Sequence, residues 1–219
     1  MKKYLKVVGL TVAMLFIVTG SAMAYSVTFP DTTDSWPGYI QAGYDHMGHP
    51  DIYSMKVTIN DSTNNLESVV INLNNRIVPD SLFINTGGDG LSYQAWDYFV
   101  HDTTSANNSG ATLYTVAADY TYQITTYPYR PDSPVGFASG ITPDLSGLLI
   151  GVVGTGPITN TMLTYSFNPG IVMGADWDIG YTEFCANDVI LGGVPEPSII
   201  ILLGLGLIGL AGVRRRIKK

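Results

Sequence analysis

The stretch Met55-Lys56-Val57-Thr58-Ile59-Asn60 places an apolar side chain at every second position and a polar side chain between each pair. Because successive side chains of a β-strand point to opposite faces, this period of two predicts a strand with one buried and one solvated face. The polar run from residue 60 to residue 65 follows at once and has the composition of a turn. The sequence here predicts the first strand of an antiparallel hairpin.

The same alternation recurs along the middle of the chain. It is found at residues 69–73, 120–125 and 161–167, although Val70 interrupts the polar face of the first segment. Turn-forming residues separate these segments at positions 74–75, 86–90, 107–110, 130–134 and 168–170. No stretch between them has the capped period of an amphipathic helix. The pattern predicts a mainly β chain of about eight to ten short strands, folded as a single antiparallel β-sandwich of jelly-roll type.

The N-terminal segment differs from this domain. Residues 1–6 carry three lysines, residues 7–18 are apolar, and Ala22 and Ala24 form an Ala-x-Ala site. A positive region, an apolar region and a small-residue site in that order predict a signal peptide, here a helix within residues 1–24 that signal peptidase removes after Ala24. The alternative, an uncleaved membrane anchor, would require a longer apolar run.

The C-terminal segment has three parts. Pro195, Glu196 and Pro197 come first, an apolar stretch occupies residues 198–213, and a basic tail at residues 214–219 begins with Arg214, Arg215 and Arg216. The apolar stretch predicts a transmembrane helix about 24 Å long, and arginines that snorkel toward the interface extend its reach. Basic residues at both ends of the chain stay on the cytoplasmic side, so residues 25–194 are predicted to be exported.

This ending resembles the PEP-CTERM sorting signal of bacteria that make exopolysaccharide. The resemblance covers residues 195–219 and includes the tripeptide, the short helix and the basic stop in the same order. It implies that an exosortase recognises Pro195-Glu196-Pro197 and that the chain passes from a transient inner-membrane anchor to the envelope, the surface or the matrix. Taken without the resemblance, Pro197 would start the membrane helix and Glu196 would favour its N-terminal dipole.

A shorter resemblance precedes the anchor. Residues 183–190 are similar to the Cys-Gly-Asn-Asp-Val-Ile ending found among sandwich proteins that carry this sorting signal, with Ala186 in the place of the glycine. The similarity implies a terminal strand that leads into the anchor. Cys185 within it is the single cysteine, so no intramolecular disulfide can form, and we expect its thiol to be buried.

Charge limits the possible partners of the exported domain. Residues 25–194 contain 17 acidic and 3 basic residues, a net charge of −14. Nucleic acid is excluded as a partner, because a phosphate-binding surface requires clustered lysines and arginines. Solubility in a salty extracellular medium and the binding of cations are favoured instead.

Several acidic loops are candidates for a structural calcium ion, which takes carboxylate and carbonyl oxygens. The candidate ligands are Asp31, Asp34, Asp89, Asp176 and Asp178, and Asp97 with Asp102 forms a further acidic pair. A transition metal is the alternative at His46 and His49, which lie between two aspartates. Solvated turn residues would explain all of these patterns without any metal.

Aromatic residues provide a second kind of candidate site. Trp36, Trp96 and Trp177 are candidate ligand-binding residues, because a platform of aromatic rings with polar neighbours suits a sugar. Neighbouring tyrosines at positions 93, 98, 120, 122, 127 and 129 could extend such a platform. The same rings could instead fill the core, where aromatic residues bury most area.

Catalytic motifs are missing from the sequence. It contains no nucleophile elbow, zinc-protease helix, phosphate loop or dinucleotide fingerprint. We therefore expect a non-enzymatic exported surface or biofilm-matrix protein associated with exopolysaccharide, with exosortase, signal peptidase and the membrane as processing partners. A carbohydrate-binding module is one alternative. A polysaccharide hydrolase that uses the carboxylates of Asp176 and Asp178 is the other.

Overall fold

The computed structural model describes residues 24–32, 36, 51–76, 79–87, 95–102, 111–125, 133–144, 149–155, 161–186 and 188–194. Eleven strands account for most of these residues: β1 (Ala24–Pro30), β2 (Asp51–Asn60), β3 (Asn65–Asn74), β4 (Asp80–Asn85), β5 (Tyr98–Asp102), β6 (Ala111–Ile124), β7 (Pro134–Pro143), β8 (Leu149–Thr155), β9 (Thr161–Val172), β10 (Asp178–Glu183) and β11 (Val189–Gly193). The prediction of a mainly β domain is confirmed.

The strands form two antiparallel sheets. One has five strands in the order β1-β2-β3-β9-β8, and the other has six in the order β11-β10-β4-β5-β6-β7. Consecutive strands pair as two meanders, β1 to β3 and β4 to β7, and the hairpins β8–β9 and β10–β11 add to β3 and β4. This order differs from the two Greek keys of a jelly roll, so that detail of the prediction was wrong. The alternation of apolar and polar residues determines how neighbouring strands pair in a hairpin. It does not determine which sheet a hairpin distant in sequence joins.

The predicted terminal helices lie outside the described residues, apart from Ala24, which is the first residue of β1. Within the ranges that the structure describes, no helix has the length and apolarity needed to cross a membrane.

The apolar faces of the two sheets share one core. It joins side chains from both sheets: Met55, Val57, Ile59, Leu66, Val69, Ile71, Leu82, Ile84, Val100, Leu163, Tyr165, Trp177, Ile179 and Tyr181. The alternating residues 55–59, 69–73 and 161–167 supply much of this set, as the period of two predicted. Two sheets that bury their facing sides in one cluster have the packing of a sandwich.

A second apolar cluster covers the opposite face of the six-stranded sheet, which we call the outer face. Its buried members are Trp36, Phe83, Trp96, Phe99, Phe137 and Val189. Trp36 packs edge-on against Phe83 at 5.1 Å between ring centroids and donates its indole N–H to the carbonyl of Pro134 at 2.8 Å. Because this sheet is covered on both faces, all six residues of β4 and all six of β10 are buried.

A buried ion cluster lies at the start of β4, around its first residue, Asp80. Arg76 donates to the carboxylate of Asp80 at 2.6 Å and to that of Asp102 at 2.7 Å, and its side chain is 10% exposed. The hydroxyl of Tyr165 donates to the second oxygen of Asp80 at 2.8 Å. Burial raises the pKa of Asp80 to about 6 against the pull of Arg76, so the carboxylate is ionised at neutral pH. The cluster thereby joins β9 to the six-stranded sheet through charged hydrogen bonds.

One predicted turn is wrong. Residues 168–170 were expected to end a strand, but β9 continues through them to Val172. Gly170 has a φ of +100°, and the register between β3 and β9 shifts nearby, between Leu66 and Ser68. Asn65 donates its side-chain amide to the carbonyl of Pro169 at 3.2 Å. The turn-forming residues here produce a register irregularity within β9 instead of a turn. Such an irregularity also requires a residue, here Gly170, that can adopt a positive φ.

Candidate functional site at the C-terminal end of the domain

The last strand of the domain, β11, lies at the edge of the six-stranded sheet and pairs with β10. This confirms the predicted terminal strand before the anchor segment. The turn that leads into it holds Ala186 at a φ of +46°, with the amide of Ala186 bonded to the carbonyl of Glu183 at 2.8 Å. A glycine would adopt this left-handed conformation without the steric cost that the Cβ of Ala186 carries.

The end of β11 is fitted closely to β10. The amide of Val194 donates to the carbonyl of Trp177 at 3.1 Å, so pairing extends to the residue directly before Pro195. A Cβ atom at Gly193 would overlap the carboxylate of Asp178 and would lie 2.8 Å from the Trp177 carbonyl. Position 193 therefore requires glycine, and the folded domain ends with no spacer before the Pro-Glu-Pro tripeptide.

Asp178 lies beside this junction on the outer face of the sheet. It is opposite Asn85 of β4 on one side and Gly193 of β11 on the other. Only 5% of the residue is exposed, and its Oδ2 has no hydrogen-bond partner. Burial and then the charge of Asp176 raise the pKa of Asp178 to about 6. The Oδ1 of Asp176 is also buried without a hydrogen bond.

The loop that carries Asp176 is held by backbone hydrogen bonds to two other loops. The amide of Met173 donates to the carbonyl of Asn64 at 2.8 Å, and the amide of Gly174 donates to the carbonyl of Thr86 at 2.7 Å. Thr86 in turn donates its amide and its hydroxyl to the carboxylate of Asp97, at 2.7 and 2.6 Å. These hydrogen bonds connect the loop before β10 to the segments that follow β2 and β4, and so fix the positions of Asp176 and Asp178.

The remaining acidic candidates do not join them. Asp31 is partly exposed in the chain after β1, where its amide donates to the carbonyl of Tyr53 at 3.2 Å. The carboxylate of Asp97 accepts the amide of Thr86 after β4, whereas the carboxylate of Asp102 binds Arg76. The predicted pair of Asp97 and Asp102 is therefore separated. Among the described residues, no three side chains of His, Cys, Asp or Glu converge on one point. The candidates Asp34, Asp89, His46 and His49 lie outside the described residues.

The three tryptophans are interior residues. Trp36 is 1% exposed, Trp96 4% and Trp177 1%. The first two belong to the outer-face cluster, and Trp177 meets Phe29 edge-on in the core at 6.1 Å. Their rings have no free face for a sugar, and the prediction of an indole platform is corrected on this ground. The core interpretation, which the sequence left open, describes these residues.

Partly exposed tyrosines are the accessible aromatic groups next to this cluster. The hydroxyls of Tyr120 and Tyr122 lie 3.2 Å apart, and the indole N–H of Trp96 donates to Tyr122 at 3.0 Å. The Tyr122 ring stacks on Phe137 at 5.3 Å between centroids. Two hydroxyls beside part-exposed rings form a small polar and aromatic surface on β6.

A serine and a histidine also meet on the outer face. The hydroxyl of Ser81 lies 3.4 Å from Nδ1 of His101, whose pKa burial lowers. Ser81 is buried, and its hydroxyl donates to the carbonyl of Val135 at 2.7 Å. Sequence spacing gave no sign of this pair, because β4–β5 register creates it. The pair cross-links β5, β4 and β7 and presents no accessible nucleophile.

The buried cysteine agrees with prediction. Cys185 is buried at the β10–β11 turn, with 8% of the residue exposed.

The candidate chemistry of the described residues centres on the other end of β10 and β11. There the carboxylates of Asp176 and Asp178 lie beside the start of the predicted sorting segment.

Comparison with protein families finds one match. Residues 193–216 match the family model of the PEP-CTERM protein-sorting motif. The match begins at the last residue of β11 and extends through the tripeptide and the apolar stretch into the arginines. Comparisons with curated proteins and with solved structures give no match.

Proposed function

We propose that this chain, which carries a PEP-CTERM protein-sorting motif at residues 193–216, is a non-enzymatic exported protein of the cell surface or biofilm matrix that associates with exopolysaccharide. The motif implies export, membrane-anchored sorting to the surface and recognition by exosortase. The single observation that carries the proposal is the direct continuation of a folded β domain into that motif at Gly193.

The character of the domain supports the matrix part of the proposal. Its net charge of −14 over residues 25–194 favours solubility outside the cell. Ser81, the described serine that faces a histidine, is buried and bonded to a backbone carbonyl. Asp178, which would have to serve as the acid or base of a hydrolase, is nearly buried against Gly193. These features favour a structural or adhesive role over catalysis.

Processing of the chain tests the sorting part. We would measure intact masses of the protein from membrane, surface and medium fractions of its native host, beside a variant with alanine at Pro195, Glu196 and Pro197. We expect a wild-type product that starts at Tyr25 and ends near Pro195, and a variant that keeps its C-terminal segment. A wild-type product extending to Lys219 in every fraction would contradict sorting by this motif.

Association with polysaccharide requires a separate test. Full-length protein in neutral detergent would be sedimented with purified matrix polymer, and the polymer would be analysed for new reducing ends. We expect co-sedimentation without new ends. Release of oligosaccharides that stops in Asp178→Asn protein would instead establish a hydrolase.

A carbohydrate-binding module is the second candidate, favoured by the Tyr120–Tyr122 surface. Stacking of sugars on aromatic rings beside hydroxyl groups is consistent with that arrangement. A glycan array would be probed with wild-type protein and with Tyr120→Ser protein, with Thr115→Ser on the same strand as the matched control. Binding of one defined glycan, lost only in Tyr120→Ser, would support this candidate, and a blank array would remove it.

A further inference from the structure

We propose that Asp176 and Asp178 bind a calcium ion on the outer face of the six-stranded sheet, beside the residue at which the sorting motif begins. This site goes beyond the sorting function and does not depend on it. It rests on the burial of Asp178, on the unpaired oxygens of both carboxylates and on the way the neighbouring strands enclose them.

The first reason is the cost of the carboxylate as it stands. Asp178 is 5% exposed, and its Oδ2 accepts no hydrogen bond. Burying a carboxylate oxygen without a donor or a counter-ion is unfavourable, and a second carboxylate nearby adds repulsion. Native domains leave few such groups unexplained, and a bound ion is one of the recognised explanations.

The second reason is that neither cationic side chain in the described part of the chain offsets the charge. The described residues contain two cationic side chains, Lys56 and Arg76. Arg76 is engaged by Asp80 and Asp102, and Lys56 is exposed on β2 in the other sheet. A bound cation would also reduce the net charge of −14 carried by residues 25–194.

The third reason is the geometry. Asp178 is fixed between Asn85 and Gly193 by strand register, and the glycine leaves the space that the carboxylate occupies. The loop with Asp176 is held in place by the Gly174–Thr86 hydrogen bond. The two acids are therefore positioned before any ion arrives, which lowers the cost of ordering them on binding.

The chemistry of these ligands selects calcium. Carboxylates are hard oxygen donors, and no histidine or cysteine joins Asp176 and Asp178 among the described residues. Since only two ligands are charged, we expect a dissociation constant of about 10⁻⁴–10⁻³ M, the range of extracellular calcium modules. Such a site would be filled outside the cell and empty inside it.

Terbium luminescence provides the test, because Trp177 lies between the two ligands in sequence and can sensitise a bound terbium ion. Full-length protein in a neutral detergent, freed of chelators, would be titrated with Tb³⁺ at pH 7 and then with Ca²⁺. We expect emission that calcium displaces, and a rise in the unfolding temperature of about 3–6 °C at calcium concentrations tenfold above the dissociation constant.

Asp176→Asn and Asp178→Asn should each lower the terbium and calcium affinities at least tenfold. Asp61→Asn, in the exposed turn after β2, is the matched control and should retain wild-type affinity. Native tryptophan emission would show that each variant is folded. Wild-type affinity in both Asn variants, or no calcium effect on emission and unfolding temperature in the wild type, would overturn the proposal.

Discussion

Replacement of Arg76 by methionine removes the guanidinium that two buried carboxylates share. Asp80 is 0% and Asp102 2% exposed in their side chains, so neither can be rehydrated without local opening. Breaking a buried ion pair from one side costs about 3–5 kcal/mol, because the remaining charge stays buried. For a domain of this size that loss corresponds to a fall in unfolding temperature of about 6–20 °C.

The measurement uses the tryptophans as reporters. All three are buried in the β domain, so their emission shifts to longer wavelength when the domain unfolds, whatever the membrane segment does. Urea unfolding of full-length protein in neutral detergent would compare Arg76→Met with the wild type at pH 7.5. Lys56→Met removes an exposed cation from β2 and is the control, expected to change stability by less than about 0.5 kcal/mol.

Acid conditions separate a charge effect from lost packing. Because the pKa of Asp80 in the folded protein is raised to about 6, the folded state holds its proton more tightly than the unfolded chain. Stability from this group is therefore complete below about pH 4 and is lost as the pH rises through 6. The deficit of Arg76→Met should be smaller at pH 5 than at pH 7.5. A deficit below about 1 kcal/mol at pH 7.5, or one equal at both pH values, would refute the reasoning.

Three further predictions concern the junction and the indoles. Gly193→Ala should destabilise the domain by about 1–3 kcal/mol in urea unfolding, because its methyl group would overlap the carboxylate of Asp178, and a neutral result would contradict the described fit. With chelator present, Asp178→Asn protein should be more stable than the wild type at pH 7.5 and equally stable at pH 4. The reason is that the raised pKa of Asp178 makes the wild type lose stability as the carboxyl ionises between about pH 4 and pH 6. Greater wild-type stability at pH 7.5 would show that the carboxylate has a partner that was missed. Trp36, Trp96 and Trp177 should resist iodide quenching in the native protein and become accessible in urea, whereas strong native quenching would place an indole at the surface.

The sequence predicted those strands that have one solvent-exposed face and one buried face. Residues 55–59 of β2 and 161–167 of β9 alternate because one side meets the core and the other meets water. β4 and β10 lack that signature, since both of their faces are covered and their sequences mix apolar residues with Asp80 and Glu183. The order of the hairpins in the sheets depends on long-range packing and could not be obtained from local alternation.

The sequence singled out the two carboxylates of the proposed calcium site but not their arrangement. Asp176 and Asp178 were among several equal acidic pairs, and only strand register shows that Asp178 is enclosed by Asn85 and Gly193. The tryptophans failed as surface candidates because all three lie outside the strands, where no periodic signal marks a buried residue: Trp36 and Trp96 fill the outer-face cluster and Trp177 the core. The sorting motif, in contrast, could be recognised from the sequence because its three parts are consecutive in the chain.

Both terminal strands lie at sheet edges and reach almost to the predicted cleavage points. Tyr25 is paired with Ile59, and Val194 is bonded to Trp177. Cleavage after Ala24 and near Pro195 would therefore leave a molecule with flush ends and no trailing peptide. Exopeptidases need unpaired terminal residues to begin digestion, so the paired ends would protect such a molecule from them for as long as its edge strands stay closed.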